Sequence, residues 1–413
     1  MTTGSVASSS GGYKKRSSIS RAAESFQSIL VAPFRSGEKK VKANSTEVTQ
    51  SSSASFGSFF RLPIELHVQI LCELSISDIL ALRRTSRAFN GLVSICQSPL
   101  VRFWAKHKLG SLHTSLYPPP PPNQAELHYL LAMRRRHIAS IRLTRHLVNY
   151  VLRGTLKHTS ARQRKVWISV YDKMIPLVFA VDYFLDEHRR VVLKRDVNVG
   201  QLGTGYGICH GPAITEEEKG IIGKYDPQMR LQYFYMYCFI LQVLKRKLRP
   251  PTYVGSVEKI ARGWVATPAS SEDIAFVLVM GGVDQVAKLL ACKNYNDRRK
   301  ALDSFIKSFS PIENASWREV WNDLDVESAK ITLEDIPRAC IGVTKLEFIW
   351  ESLMMELMAP KSSAYTEAEK AKFAEVRGWK RFVNELMGYD VLRGRPNGDD
   401  SEAQSEAEHG QEE

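Results

Sequence analysis

The sequence predicts a mainly α-helical protein, with a small three-helix unit near residue 60, a larger irregular helical domain after it, and a disordered tail at each end. Apolar residues recur every three to four positions from Pro63 to Trp104, and again from Gln124 almost to the C-terminus. The first 57 residues are rich in Ser, Thr, Gly and Lys and poor in apolar side chains, so they bury too little surface to offset chain entropy.

The first predicted helix starts beside Pro63, which suits the first turn of a helix. Leu66, Ile70 and Leu74 follow at intervals of four residues, so one apolar stripe runs along the helix, and we expect this stripe to be buried. Ser75 or Ser77 can cap the second helix.

The second and third helices of this unit are also short and amphipathic. Asp78 lies where an acid meets the positive end of the second helix, and Ser98-Pro99 suggests a cap and first-turn proline for a further helix. Three short helices in about 45 residues bury too little apolar area to be independently robust. We therefore expect an apolar face that another protein covers.

The order of residues in this unit resembles an F-box, in a protein of the fungal type with an additional helical C-terminal region. The resemblance lies in Leu-Pro-x-Glu-Leu from Leu62, Leu-Ser-x-x-Asp from Leu74, Arg-x-x-Ser-x-x-Phe from Arg83, and a late Trp104. Ile76 departs from the pattern, since many F-boxes carry proline there. The resemblance implies that the following residues either pack the helices or contact a partner: Leu62, Pro63, Leu66, Ile70, Leu74, Asp78, Leu82, Phe89 and Trp104.

The resemblance implies a non-catalytic substrate-receptor subunit of an SCF-type ubiquitin ligase. The F-box would bind a Skp-family linker protein, and the linker would bind a cullin. An unidentified target protein would bind the helical region after Gln124. Two alternatives stay open, which are an F-box scaffold in a complex that is not a ligase and a basic nucleic-acid-associated protein.

These observations divide the chain into five predicted segments. They are a disordered tail at 1–57, the F-box at 58–108, a proline-rich linker at 109–123, the helical domain at 124–393 and an acidic disordered tail at 394–413. Five consecutive prolines within the linker favour a stiff polyproline II spacer, although they could also bind a proline-recognition domain.

Within the helical domain, Asp226-Pro227 indicates a helix start, and that helix should run to Leu248. Residues 346–357 show the cleanest amphipathic pattern, and a capping box at Thr366 precedes another helix that ends at Gly388. Residues 274–290 resemble one turn of an armadillo-type repeat. No second copy occurs at a fixed period, so an irregular helical domain is favoured.

The formal net charge is +13, although residues 397–413 hold seven acids and no Lys or Arg, so the rest of the chain carries +20. Residues 134–165 form a basic stretch with few aromatic residues. It could contact nucleic-acid phosphates or an acidic partner, dock the acidic tail, serve nuclear import, or be a solvated helix face. Binding to nucleic acid is not our expectation.

No pattern in the sequence argues for catalysis, a cofactor or a metal. The six cysteines are scattered without zinc-ligand spacing, which favours buried thiols in the reducing cytoplasm, the nucleus or both. The glycine-rich residues 200–207, followed by Cys209 and His210, fit no nucleotide-binding spacing. Asp182, Asp186 and Glu187 are expected to form a solvated, salt-bridged face with neighbouring arginines.

A membrane span and a secretory signal are not predicted. The longest apolar run, Leu231–Leu244, is shorter than the ~20 residues that a membrane-crossing helix needs. The N-terminus lacks a charged region followed by an apolar core, although it keeps a weak likeness to a transit peptide.

Overall fold

The computed structural model describes residues 57–155, 161–199, 212–250, 268–309, 314–316, 319–320, 389–390 and 395–396. The chain divides into two compact units after Met133. The mainly α-helical prediction is confirmed. Several predictions fall outside the described residues: the disordered N-terminal tail, the glycine-rich residues 200–207, the helices at 346–357 and 366–388, and the acidic residues 397–413.

Three α-helices form the beginning of the first unit, as predicted. They are α1 (Ile64–Glu73), α2 (Ile76–Thr85) and α3 (Arg87–His107), and a short 3-10 turn at Phe59–Arg61 precedes them. Ser75 caps α2: its Oγ accepts a hydrogen bond from the Asp78 N–H at 3.2 Å, and the Asp78 carboxylate accepts one from the Ser75 N–H at 3.3 Å. This capping box resolves the choice between Ser75 and Ser77.

The interpretation of Ser98-Pro99 as a helix start is wrong, because α3 runs through both residues without a break. Pro99 lacks the N–H that an interior helical residue donates, but packing of Leu100, Val101 and Trp104 holds the helix together beyond it. The Ser98 hydroxyl donates to the Pro122 carbonyl at 2.8 Å, outside the helix.

The segment predicted as a linker contains helix α4 (Ser111–Leu116) and a 3-10 turn at Pro122–Gln124. Leu116 and Tyr117 are buried, and the Tyr117 carbonyl accepts a hydrogen bond from the Tyr129 hydroxyl at 2.8 Å. Ala125, Leu127 and Leu130, beyond the prolines, share one core with the three-helix unit. This shared core explains why the first unit extends past the predicted boundary at Gln124.

The described helices continue from α5 (Leu127–Thr155), of which the second unit contains all but the first residues. They are followed, in chain order, by α6 (Ala161–Val199), α7 (Pro212–Gly223), α8 (Pro227–Lys247), α9 (Ser271–Ala291) and α10 (Tyr295–Lys307). Helix α8 begins at the predicted Asp226-Pro227 start. Two-residue strands β1 (Tyr389–Asp390) and β2 (Arg395–Pro396) pair antiparallel.

Helix α9 lies in the core of the second unit and is broken in its middle. Gly282 adopts φ +58° and ψ −165°, outside the helical region, and α9 as a whole packs against α6, α8 and α10. By length and composition α9 could cross a membrane, but 67% of its most apolar window is buried within the unit, as in a core helix. The apolar run singled out in the sequence, Leu231–Leu244, belongs instead to α8.

The acids of α6 do not form a solvated face as predicted, because Asp182 and Asp186 are buried. Asp186 accepts hydrogen bonds from Arg136 Nε at 2.9 Å and from Arg189 Nη2 at 2.8 Å. The periodicity of α6 placed the two acids on one face, but it did not show that α5 and α9 cover that face. Only Glu187, which pairs with the exposed Arg190, matches the prediction.

Candidate docking site

Several large apolar side chains at the start of the first unit are exposed to solvent. Leu62 is 36% exposed, and Ile64, Leu66 and Ile70 are 42–43% exposed. We call these four residues the apolar patch. They lie within nine residues on α1 and the turn before it, a concentration that scattered surface residues do not explain.

The orientation of α1 creates this patch. His67, Leu71 and Cys72 face the core, so the Leu66 and Ile70 part of the predicted stripe faces solvent instead of being buried. The expectation of a buried stripe is therefore wrong at these two positions. Both faces of α1 are apolar, and the sequence alone did not show which face the rest of the unit would cover.

A hydrogen bond fixes the rotation of α1. The His67 Nε2 donates to the Phe59 carbonyl at 2.8 Å, and the two rings lie 4.9 Å apart at their centroids. Phe59 in turn packs beside Phe89 of α3 with a centroid distance of 5.7 Å. These contacts hold the 3-10 turn and α1 against α3, so the apolar patch is presented by a supported surface.

Four of the nine residues named from the resemblance are exposed on or beside α1: Leu62, Pro63, Leu66 and Ile70. Leu74, Leu82 and Phe89 are half-buried and pack against the core. Asp78 is exposed, but its carboxylate accepts a 2.6 Å hydrogen bond from the Ser75 hydroxyl in the capping box.

Trp104 is 1% exposed and is a core residue of the first unit. The resemblance leaves two roles open for Trp104, packing the helices or contacting a partner, and its burial indicates the first. The assignment of the nine residues to a partner interface stays a prediction. It is best supported for the exposed residues on or beside α1, because a partner can reach them directly.

Sequence reasoning missed exposed residues beside the predicted ones. Ile64 belongs to the apolar patch, and Phe60, 37% exposed, packs against Phe89 with a centroid distance of 5.0 Å. Ile64 fills the unspecified position of Leu-Pro-x-Glu-Leu and Phe60 precedes that pattern, so the pattern gave no reason to select either residue. The sequence signal that could have identified them is the run of large apolar residues between positions 60 and 64.

The described residues offer little for a chemical reaction. They contain no group of three or more His, Cys, Asp or Glu residues that could hold a metal ion. Burial raises the pKa values of Cys72 and Cys96, so these thiols stay protonated and weakly reactive. Cys209 and His210 lie outside the described part of the chain.

Comparison with known proteins gives one match. The family model of the F-box domain matches residues 59–99, which include α1, α2 and the first half of α3. Neither a curated protein nor a solved structure matches the chain, and the fungal type stays a prediction. The match covers the segment that displays the apolar patch. Residues 59–99 are thus an F-box domain, a protein-interaction module typical of SCF-type ubiquitin ligase adaptors.

Proposed function

We propose that this protein is a non-catalytic substrate receptor of an SCF-type ubiquitin ligase. The observation that carries the proposal is the apolar patch on the F-box domain, which the first unit leaves in solvent. A Skp-family linker covers the patch, the linker connects to a cullin, and the second unit holds the target. The free cysteines, among them buried Cys72 and Cys96, fit work in the cytoplasm, the nucleus or both.

The size of the patch supports a docking role. Complete burial of four side chains that are each 36–43% exposed removes roughly 250–300 Å² of apolar area, worth on the order of 6–7 kcal/mol before the costs of association. This is comparable to a central cluster of interface anchors. Polar contacts around it would have to supply the rest of the affinity.

The mechanism of such a receptor is proximity. Binding a target and the ligase scaffold at once converts an encounter between two molecules into an intramolecular one, with a correspondingly high effective concentration. The protein then needs no acid, base or nucleophile of its own. Its contribution to the rate is the orientation of a target lysine.

The test is a titration of the full chain with a purified Skp-family linker. We expect Ile70→Glu to weaken binding at least 30-fold, because a charge replaces an apolar anchor, and the Leu62→Ala/Pro63→Ala pair to weaken it less. Gln69→Glu is the matched control, since Gln69 is the exposed neighbour of Ile70 and the added charge is the same.

The unfolding midpoints of these variants should match the midpoint of the wild type, because all of the substituted side chains are exposed. Unchanged linker affinity in Ile70→Glu would refute docking through the apolar patch. Linker binding in complexes that never contain a cullin would favour the scaffold alternative.

A further inference from the structure

A cluster of cations and aromatic rings lies on the second unit, where α5 meets the C-terminal end of α8. The Tyr150 ring on α5 has the Arg246 guanidinium 6.0 Å and the Lys247 ammonium 5.6 Å from its centroid. The other neighbour of this ring is Phe239, with a centroid distance of 6.5 Å. The ring therefore holds two cations of α8 in place above the surface of α5.

Further cationic charge lies one turn earlier on α5. Arg145 is exposed, and His146 beside it is half-buried. His146 lies one turn before Tyr150 on α5, and its pKa is lowered by burial and further by the charges of Arg145 and Lys247. Arg145, Arg246 and Lys247 thus form one cationic group that spans two helices.

An apolar element adjoins this cationic group at the start of α6. Trp167 stacks on Tyr171 with a centroid distance of 4.7 Å, and its indole N–H donates to Asn149 Oδ1 on α5 at 3.0 Å. Burial raises the pKa of Tyr171; the charge of Asp172 adds to this, and that of Arg145 opposes it. Asn149 lies one turn after Arg145 on α5, so the Trp167 indole contacts the helix face that carries Arg145.

Ile168 follows Trp167 and is 44% exposed. Among the described residues, the other large hydrophobic side chains with comparable or greater exposure all lie between Phe60 and Ile95, in the first unit. Ile168 therefore adds an exposed apolar side chain next in sequence to Trp167, whose indole contacts α5. We call Arg145, Tyr150, Trp167, Ile168, Arg246 and Lys247 the basic-aromatic face.

We propose that the basic-aromatic face binds an acidic peptide segment of the target protein, with an aliphatic or aromatic side chain of that segment packed on Ile168 and Trp167. Carboxylates complement the three cations, two of which lie over the Tyr150 ring, and the apolar side chain complements the exposed isoleucine. The role of this segment as a ligase target rests on the proposed function, whereas the peptide binding itself does not.

The chain's own acidic residues fit this face less well. Residues 397–413 contain seven acids but no Val, Leu, Ile, Met, Phe, Tyr or Trp, so they complement only the cations. Isolated exposed ion pairs contribute about 0–1 kcal/mol each and weaken with salt. A target segment with an apolar side chain can also pack on Ile168 and Trp167, which this tail cannot do.

Nucleic acid also fits less well. Binding of single strands relies on bases that stack on open aromatic faces. Tyr150 has two cations on its ring and Trp167 stacks on Tyr171, so both rings already have partners within the chain.

The experiment selects binders from a displayed library of random 12-residue peptides, with the full-length protein as bait, both alone and together with the linker. We expect the recovered peptides to be enriched in Asp and Glu and to share an aliphatic or aromatic residue. The Arg145→Glu/Arg246→Glu variant should lose this enrichment. Arg135→Glu is the control, because Arg135 is an exposed arginine of the same helix.

A selected peptide is then synthesised and its affinity is measured by fluorescence anisotropy. We expect at least a 10-fold loss in Arg145→Glu/Arg246→Glu, a threefold or greater loss in Ile168→Ser, and steep weakening between 50 and 200 mM salt for the wild type. Recovery of no peptides, or of peptides without acidic enrichment, overturns the proposal. So does equal affinity for the 397–413 peptide, or tighter binding of a 20-nucleotide single-stranded RNA that displaces the selected peptide.

The two proposals fail separately. Ile70→Glu should leave peptide affinity unchanged, and Arg145→Glu/Arg246→Glu should leave linker affinity unchanged, with unfolding midpoints as a check of the fold. If acidic peptides bind the protein but the linker does not, the ligase proposal is refuted and the peptide-binding role of the basic-aromatic face stands. If the linker binds but acidic peptides do not, the peptide-binding proposal is refuted and the ligase proposal stands.

Discussion

The Asp182 carboxylate accepts a hydrogen bond from the backbone N–H of Val283 at 3.2 Å, and so joins the middle of α6 to the break in α9. The Arg189 guanidinium approaches the Val279 and Met280 carbonyls on the other side of the break, at 3.4 Å each. A broken helix leaves backbone donors and acceptors without helical partners. Side chains of α6 supply those partners here, from 90 to 101 residues earlier in the chain.

Gly282→Ala should destabilise the second unit by about 1–3 kcal/mol, because Gly282 has φ +58°, a conformation that side-chain-bearing residues adopt only under strain. Space is not the obstacle, since an added Cβ would lie 3.5 Å from Asp182 Oδ1. Urea unfolding measures the change.

Gly220→Ala is the control for Gly282→Ala. Gly220 lies in helix α7 and an added Cβ meets nothing within 4 Å, so alanine should stabilise that helix by about 0.5–1 kcal/mol. If alanine changed the free energy of unfolding in the same direction at both glycines, that result would contradict the strain assigned to Gly282.

Asp182→Asn should change how stability depends on pH. Burial, together with the charge of Asp186, raises the pKa of Asp182 to about 8, against the lowering effects of the Val283 N–H, Arg136 and Arg189. A carboxyl whose pKa is raised on folding keeps a proton that the unfolded chain releases above about pH 4. Its favourable contribution is therefore present at low pH and is lost as pH rises through about 8.

Asparagine keeps the acceptor for Val283 and cannot ionise, so the variant should gain stability relative to the wild type by about 1–3 kcal/mol between pH 5 and pH 8. Asp186 does not add to this window: burial acts to raise its pKa, but Arg189 and Arg136 outweigh burial and leave that pKa lowered. Urea unfolding at several pH values is the measurement. A constant difference between the two proteins would show that Asp182 does not titrate as proposed.

Ile70→Ala should weaken linker binding with little loss of stability, whereas Leu71→Ala should lower stability, although the two residues are neighbours with side chains of similar size. Leu71 is 1% exposed, so its truncation should cost about 2–5 kcal/mol of unfolding free energy. Ile70 is 43% exposed, so its truncation should cost under about 1 kcal/mol but weaken linker binding. Thermal unfolding and linker titration, run on both variants, separate packing from docking. Equal stability losses would mean that α1 is rotated differently.

Arg298→Met should destabilise the second unit by about 2–4 kcal/mol, because three carbonyls lose their donor at once. The buried guanidinium donates to the Leu289 carbonyl at 3.0 Å and the Lys247 carbonyl at 2.8 Å, and also to the Cys292 carbonyl. Methionine retains much of the side-chain volume, so the loss reports on hydrogen bonds. Lys300→Met, at an exposed position two residues later, should change the unfolding midpoint little.

The sequence predicted best what local interactions decide. Ser75 and Asp78 are three residues apart, and their capping box follows from spacing alone. Asp226-Pro227 marked the start of α8 in the same way. Each of these features needs only the residues of one helix end.

Features that depend on distant contacts escaped prediction. The periodicity of α6 set Asp182 and Asp186 on one face, but their burial depends on α5 and α9. Ser98-Pro99 resembles a helix start locally, yet core packing of Trp104 and its neighbours carries α3 through it. For the candidate site, the sequence located α1 and named Leu62, Pro63, Leu66 and Ile70 among its candidates, but it did not show which of the two apolar faces of α1 the rest of the unit covers.

The hydrophobic core around Trp104 sets a minimum length for an autonomous fragment. The matched domain ends at residue 99, whereas Ala125, Leu127 and Leu130 close the same core about thirty residues later. A fragment that ends at residue 99 would lack Leu100, Val101 and Trp104, leave the core side chains of α1 and α2 uncovered, and should therefore aggregate. One that extends through Met133 should stay monomeric, which makes it the proper unit for transferring the F-box domain to another protein.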